Sequence, residues 1–210
     1  MAQSAKRLHN LVGGEPHQER TAARQSSSVF TIGHSTRPLE EFVQLLQAHG
    51  VTQVADVRTV PRSRHNPQFN QETLPQALQA AGIGYAHLPG LGGLRHSRAD
   101  SPNKAWRNAS FRGFADYMQT SEFEAALAQL LDMSTQGQLA LMCAEAVPWR
   151  CHRSLIADAL VVRGIGVEHI TGASHRHLHT LTPWAQVDGQ RITYPPEQGL
   201  LFDDPSGVTS

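Results

Sequence analysis

The chain has 210 residues and a mass of 23.0 kDa, with 40% apolar and 17% charged residues; this allows one full core and excludes a wholly disordered or collagen-like chain. Eighteen basic residues offset eighteen acidic ones, so net charge points neither to bulk coating of nucleic acid nor to a membrane surface. Only two cysteines occur, Cys143 and Cys151, which excludes a disulfide framework, and no stretch approaches the roughly 18 apolar residues of a membrane span.

In chain order, residues 1–28 are polar, carry Gly13-Gly14 and Ser26-Ser27-Ser28, and read as a flexible N-terminal tail. They hold no apolar run of the kind that opens a secretory signal, so a cytoplasmic chain with both thiols reduced is expected, with no membrane partner. Val29–Gly33 is a β-branched run that predicts a strand. Pro38 opens an amphipathic helix through Phe42, Leu45, Leu46 and His49 that Gly50 closes. Val51–Val57 predicts a buried strand, Thr73–Ala81 a helix closed by Gly82, and Ile83–Leu88 a strand. Phe111–Leu131 is helical with a break near Ser121. Leu139–Cys143 reads as a strand, Ser154–Arg163 as a helix closed by Gly164, and Val167–Ile170 as a last strand. Residues 172–210 show no long period and read as an irregular C-terminal extension.

Strands alternating with helices predict an α/β fold: one domain over residues 29–171, with a mainly parallel sheet of about five strands flanked by helices. In such sheets ligands sit beyond the carboxyl ends of the strands. That rule selects His34 and Ser35, Asp56 and Arg58, His87, and Cys143 with Glu145. Ser35 is read either as a cap for the first helix or as a substrate contact, and Asp56 as a group that orients Arg or His. Between Arg58 and Arg112 lie eight basic residues against Glu72 and Asp100, in long loops that also hold Ser63; these suit an anion site or a solvated basic face.

The densest cluster is Cys143-Ala144-Glu145-Ala146-Val147-Pro148-Trp149-Arg150-Cys151-His152-Arg153-Ser154. A helix N-terminus and neighbouring arginines both stabilise a thiolate, so either cysteine is a candidate nucleophile. Glu145 and His152 are then candidate acid/base groups, and Arg58, Arg150 and Arg153 a clamp for an anion. Two sharper motifs fail on spacing. The zinc deaminase pattern needs a longer gap and the second Cys of a Pro-Cys-x-x-Cys pair, which is absent here. A cysteine phosphatase loop needs five residues between Cys and Arg, and six separate Cys143 from Arg150.

Thr31-Ile32-Gly33-His34-Ser35, Asp56-Val57-Arg58 with Pro61 and Ser63, Tyr85 followed by Leu91-Gly92-Gly93, and Cys143-x-Glu145 with Cys151-His152-Arg153 together resemble the bacterial and archaeal domain of unknown function family 488. The resemblance covers about residues 30 to 171. It implies a shared fold and places Tyr85 beside the other candidate substrate contacts; it carries no known catalytic residue. The order of Asp-Val-Arg, a strand-end Cys, and Arg153-Ser154 opening a helix is also similar to rhodanese-like domains, in which a Cys in such a loop carries sulfur or, in phosphatase relatives, phosphate. The loop here is longer.

In the tail, Gln198-Gly199-Leu200-Leu201-Phe202 resembles peptides that dock in bacterial sliding clamps, with Gln198, Leu201 and Phe202 as anchors. Three functions remain in view: an enzyme acting on a phosphate-bearing nucleotide or nucleic acid, a non-catalytic nucleic-acid or clamp-associated module, and a structural zinc domain built on the two thiols. The sequence leaves the cofactor unknown.

Overall fold

The computed structural model describes residues 28–196; the Gln198–Phe202 peptide and the N-terminal tail up to residue 27 lie outside the described residues. Five parallel strands come first: β1 (Val29–Gly33), β2 (Gln53–Asp56), β3 (Gly84–His87), β4 (Leu139–Cys143) and β5 (Val167–Gly172). The helices between them are α1 (Leu39–Ala48), α2 (Leu74–Ala80), α3 (Ala109–Tyr117), α4 (Ser121–Thr135) and α5 (Arg153–Val161). A sixth strand, β6 (His175–Leu178), pairs antiparallel with β5, and β7 (Gln186–Asp188) and β8 (Arg191–Thr193) form a separate hairpin. The sheet order is β3-β2-β4-β1-β5-β6. The mainly parallel α/β architecture expected from the sequence is thus what the chain adopts, with one more edge strand than the periodicity showed. Among the described residues no helix is long and apolar enough to cross a membrane.

The order follows from right-handed crossovers. From β1 the chain steps toward β2 and β3 through α1 and α2, then returns toward β4 and β5 through α3, α4 and α5, so the two helix sets cover opposite faces. Strand periodicity of two sorts the buried side chains accordingly. Phe30, Ile32, Val54, Ala140 and Met142 pack with Phe42, Leu46, Leu74 and Leu78 of α1 and α2. Val29, Ala55, Leu141 and Cys143 pack with Phe114, Leu127, Leu155 and Leu160 on the other side. The parity of β4 therefore turns Cys143 toward α5.

Punctuation residues set the helix ends. Gly50 takes φ of +65° and lets the Val51 N–H close back on the Leu46 carbonyl at 2.9 Å, a left-handed reversal that glycine adopts without strain. Asn108 caps α3 by accepting from the Ser110 N–H at 2.8 Å, and Thr120 caps α4 by accepting from Phe123; the break near Ser121 falls between these helices.

The segment after Gly172 is not an irregular wrap up to residue 196: it adds β6 to the sheet edge and is pinned by a buried polar chain. The Asp158 carboxylate on α5 accepts from His179 Nε2 at 2.8 Å, from the Thr182 hydroxyl at 2.7 Å and from the Tyr194 hydroxyl at 2.8 Å. His179 Nδ1 faces His169 Nε2 at 3.0 Å, and His169 Nδ1 faces the Thr31 hydroxyl at 2.7 Å. The loop before α3 is pinned likewise: the buried Asp116 accepts from Ser101, from Asn103 Nδ2 at 2.8 Å and from the Arg98 N–H.

Candidate functional site

The carboxyl ends of β1, β2 and β4 open into a cleft of about 710 Å³. Its lining includes His34, Ser35, Arg58, Ser63, Cys143, Glu145, Arg150, Cys151 and His152, so nine of the candidate residues meet in one place. Asp56, Tyr85 and Arg153 are not part of this lining.

One half of the site is a thiol cluster on the α5 side. The Sγ atoms of Cys143 and Cys151 and a ring nitrogen of His152 all lie within 4.8 Å of one another, and both cysteines are free and buried. His152 Nε2 is 3.1 Å from the Val57 carbonyl. A carbonyl only accepts, so Nε2 carries the proton and Nδ1 presents its lone pair to the Cys151 sulfur, 3.7 Å away. Gly93 makes this possible: a Cβ there would sit 2.5 Å from Nδ1. Interaction with the Cys151 thiol, whose sulfur lies within 4.8 Å, holds the Cys143 pKa well below the ordinary thiol value, helped by His152 and by the positive charge of Arg153, while Cys151 beside that sulfur is pushed up. One negative charge, resting on Cys143, is the state these contacts favour.

Arg153 explains where the compensating cation sits. It opens α5 and is fully buried. Its guanidinium donates to the Glu145 carbonyl at 2.6 Å and to the Ala146 carbonyl at 3.4 Å, and Nε has no partner. Among the described residues no carboxylate pairs with it: Asp158 is engaged by the C-terminal segment, and Glu145 turns an oxygen to the Val147 N–H at 3.1 Å. A buried, unpaired guanidinium is costly unless an anion lies nearby. The thiolate, or an anionic ligand, fills that role. The two carbonyls also fix the loop from Ala144 to Arg150, which rests on Gly33; a Cβ on Gly33 would fall 1.9 Å from the Glu145 carbonyl oxygen.

The other half is a carboxylate–guanidinium network on the α1 and α2 side. After β2 the chain turns, and Arg58 folds back on Asp56, with Nε at 2.9 Å from Oδ1 and Nη2 at 2.5 Å from Oδ2. Nη2 also donates to the Phe69 carbonyl at 2.7 Å, Nη1 reaches His34 Nε2 at 3.2 Å, and the Tyr85 hydroxyl donates to Asp56 at 2.8 Å. The expectation that Asp56 orients Arg or His describes this contact. Arg58 is held inside the protein and is not a free clamp. His34 donates from Nδ1 to the Ser35 carbonyl at 2.8 Å and stacks on Phe69; burial holds its pKa down at about 4, so it is neutral and accepts from Arg58. Ser35 does not cap α1, whose N-cap is Pro38 with no side-chain bond; it sits at φ of +52° on the cleft wall.

Arg62 and Arg150 line the cleft and face solvent. Arg62 pairs with Glu72 at 2.7 Å, whereas Arg150 makes no ion pair among the described residues. Much of the basic run is committed elsewhere: Arg95 lies over the Tyr117 ring and donates to loop carbonyls, and Arg98 pairs with Asp100. Ser63 shapes its loop, accepting from the Asn66 N–H at 3.1 Å. Thr59, Asn66 and Asn108 also line the cleft; uncharged loop residues carry no signal in one sequence, except Asn108, whose position before a helix marks a cap.

The cluster of Cys143, Cys151 and His152 offers three soft donors that could hold a zinc ion, with Nε2 oriented by a carbonyl as metal-binding histidines commonly are. The unpaired Arg153 beside it favours an anion over a dication, so the donor set fits a metal less well than its geometry alone suggests.

No curated protein and no solved structure matches the chain, so the likeness to rhodanese-like domains remains one of motif. The sequence profile described as Domain of unknown function DUF488 matches residues 38–160, a span that takes in α1 through most of α5 and both thiols. The chain therefore belongs to the DUF488 family.

Proposed function

We propose that this protein is a thiolate-dependent enzyme acting on a phosphate-bearing substrate, a nucleotide or nucleic acid. The observation that carries the reading is the juxtaposition, on the cleft floor, of paired thiols, a histidine with its lone pair aimed at them, and a buried arginine lacking a carboxylate. Cys143 is the nucleophile. Its proton rests on His152 Nδ1, and the thiolate sulfur attacks phosphorus to form a thiophosphate ester. The leaving oxygen then takes that proton from His152. Arg150 and Arg62 at the rim grip the remaining phosphate oxygens. Glu145, exposed on the cleft wall, is placed to take a proton from the water that releases the phosphoryl group. His34, Ser35, Ser63 and the Asp56–Arg58–Tyr85 network shape the opposite wall.

Alkylation of the native protein across pH 6 to 9, read by intact mass and peptide mapping together with metal analysis, tests this. Cys143 is expected to react with an apparent pKa below the ordinary ~8.5, and Cys151 slowly. If both thiols stay inert across the range, the nucleophile reading fails. A stoichiometric zinc content with a melting temperature lowered by chelator would establish the structural-metal alternative instead. A steep loss of nucleic-acid affinity with salt, unchanged in Cys143→Ser, would favour a non-catalytic module.

A further inference from the structure

We infer that Cys143 and Cys151 form an oxidisable pair, which hydroperoxides convert to a reversible intrachain disulfide on the floor of the cleft. The inference rests on the reading of Cys143 as the reactive sulfur and adds a modification that switches it off. The only two cysteines of the chain are separated by seven residues, yet strand parity and the start of α5 bring their sulfurs within 4.8 Å of each other. Cys143 lines the cleft, so a small hydroperoxide reaches it without unfolding. The segment joining the two carries exposed Ala144, Glu145, Trp149 and Arg150, and the sulfurs must close to about 2.05 Å for the bond to form.

The chemistry balances in two steps. The Cys143 thiolate attacks the distal oxygen of ROOH. The O–O bond breaks, the departing RO− takes the proton that Cys143 gave up to His152 Nδ1 and leaves as ROH, and Cys143 becomes a sulfenic acid. The Cys151 thiol gives its proton to His152 Nδ1, and its sulfur attacks the Cys143 sulfur. The S–O bond breaks, and the departing hydroxide takes the proton from His152 as water. Two electrons pass from the dithiol to the peroxide. Because Arg153 and His152 stabilise the reduced thiolate and lose that partner in the disulfide, the oxidised form is readily reduced by small thiols.

The test uses the full chain exposed to stoichiometric hydrogen peroxide, followed by intact mass, non-reducing peptide mapping and dimedone labelling. The expected result is loss of two hydrogens, a Cys143–Cys151 linked peptide, and full reversal by millimolar glutathione. Cys151→Ser should stop at a dimedone-reactive Cys143, and Cys143→Ser should not react. Circular dichroism of both variants checks that they fold, and wild-type mapping stands on its own if they do not. Overoxidation of Cys143 without a linked peptide overturns the pair, as does equal peroxide reactivity in Cys143→Ser. If Cys143 alkylates rapidly yet no disulfide forms, the pair fails while the nucleophile reading stands; if Cys143 does not alkylate, both fall.

Discussion

Arg153 concentrates the physics of the site in one side chain. It donates to two loop carbonyls, leaves Nε unpartnered, and sits in the core without a carboxylate. Its charge therefore acts on the nearby Cys143 sulfur, which it helps to hold in the thiolate form. Arg153→Met removes that charge and keeps much of the volume. The thiolate is then less favoured, so the Cys143 pKa moves up. Each pKa unit lowers the thiolate fraction about tenfold at a pH below both values, so alkylation at pH 6 should slow by roughly tenfold, while the rate at pH 10 changes little. Losing two donors to buried carbonyls costs about 1 kcal/mol each, and removing an unpaired buried charge offsets part of that; the melting temperature should fall only modestly. An unchanged pH profile for alkylation would show that Arg153 acts on the loop alone. The sequence placed Arg153 in the right cluster but cast it as a substrate clamp. Its burial depends on how α5 docks on the sheet, which local pattern does not encode.

At the scale of elements, β4, α5 and the loop between them form the unit that makes the site, and Gly33 of β1 sets its position. Gly33→Ala would force a Cβ to 1.9 Å from the Glu145 carbonyl oxygen, a backbone atom that cannot rotate away. The loop must move, at a cost of at least about 1–3 kcal/mol for overpacking, and the Cys143–Cys151 contact moves with it. Thermal unfolding should show a clear drop, whereas Gly84→Ala, whose new Cβ would lie an ordinary 3.6 Å from the Thr52 carbonyl oxygen, should show little. Equal effects of the two substitutions would refute the contact. The elements themselves were largely legible. Leu139–Cys143 is a continuous apolar run, and Gly50 and Gly164, both at positive φ, stop their helices where the pattern stops. The strand β6 was not legible, because His175, Arg176, His177 and Leu178 are all exposed. Backbone pairing with β5 at the sheet edge holds it, so no apolar alternation is required. In the Asp56–Arg58–His34–Tyr85 network the Asp56–Arg58 contact is local, whereas the places of His34 and Tyr85 were not legible, since their bonds cross 24 and 29 positions.

For the whole molecule, two buried histidines couple the site and the C-terminal segment to pH. His34 ties β1 to Arg58, and burial holds its pKa at about 4. His169 links Thr31 to His179 and so to Asp158, Thr182 and Tyr194, and burial, with the nearby His179 and Arg153, holds it at about 3. Both are neutral in the fold, while an unfolded histidine titrates near 6.5. Above that pH neither state takes up the proton, and the stability is fully present. As pH falls below 6.5 the unfolded chain binds two protons that the folded chain refuses, so stability is lost progressively down toward the folded values. Between pH 7 and pH 5, above most carboxylate titration, the two groups together should remove roughly 2–4 kcal/mol. Urea unfolding at the two pH values measures this directly, and His169→Gln should flatten the dependence by about half, because Gln keeps a polar partner without binding a proton. A urea midpoint that stays constant from pH 7 to pH 5 would mean that the histidines are protonated in place and that the buried chain from Thr31 to Asp158 rearranges around the charge.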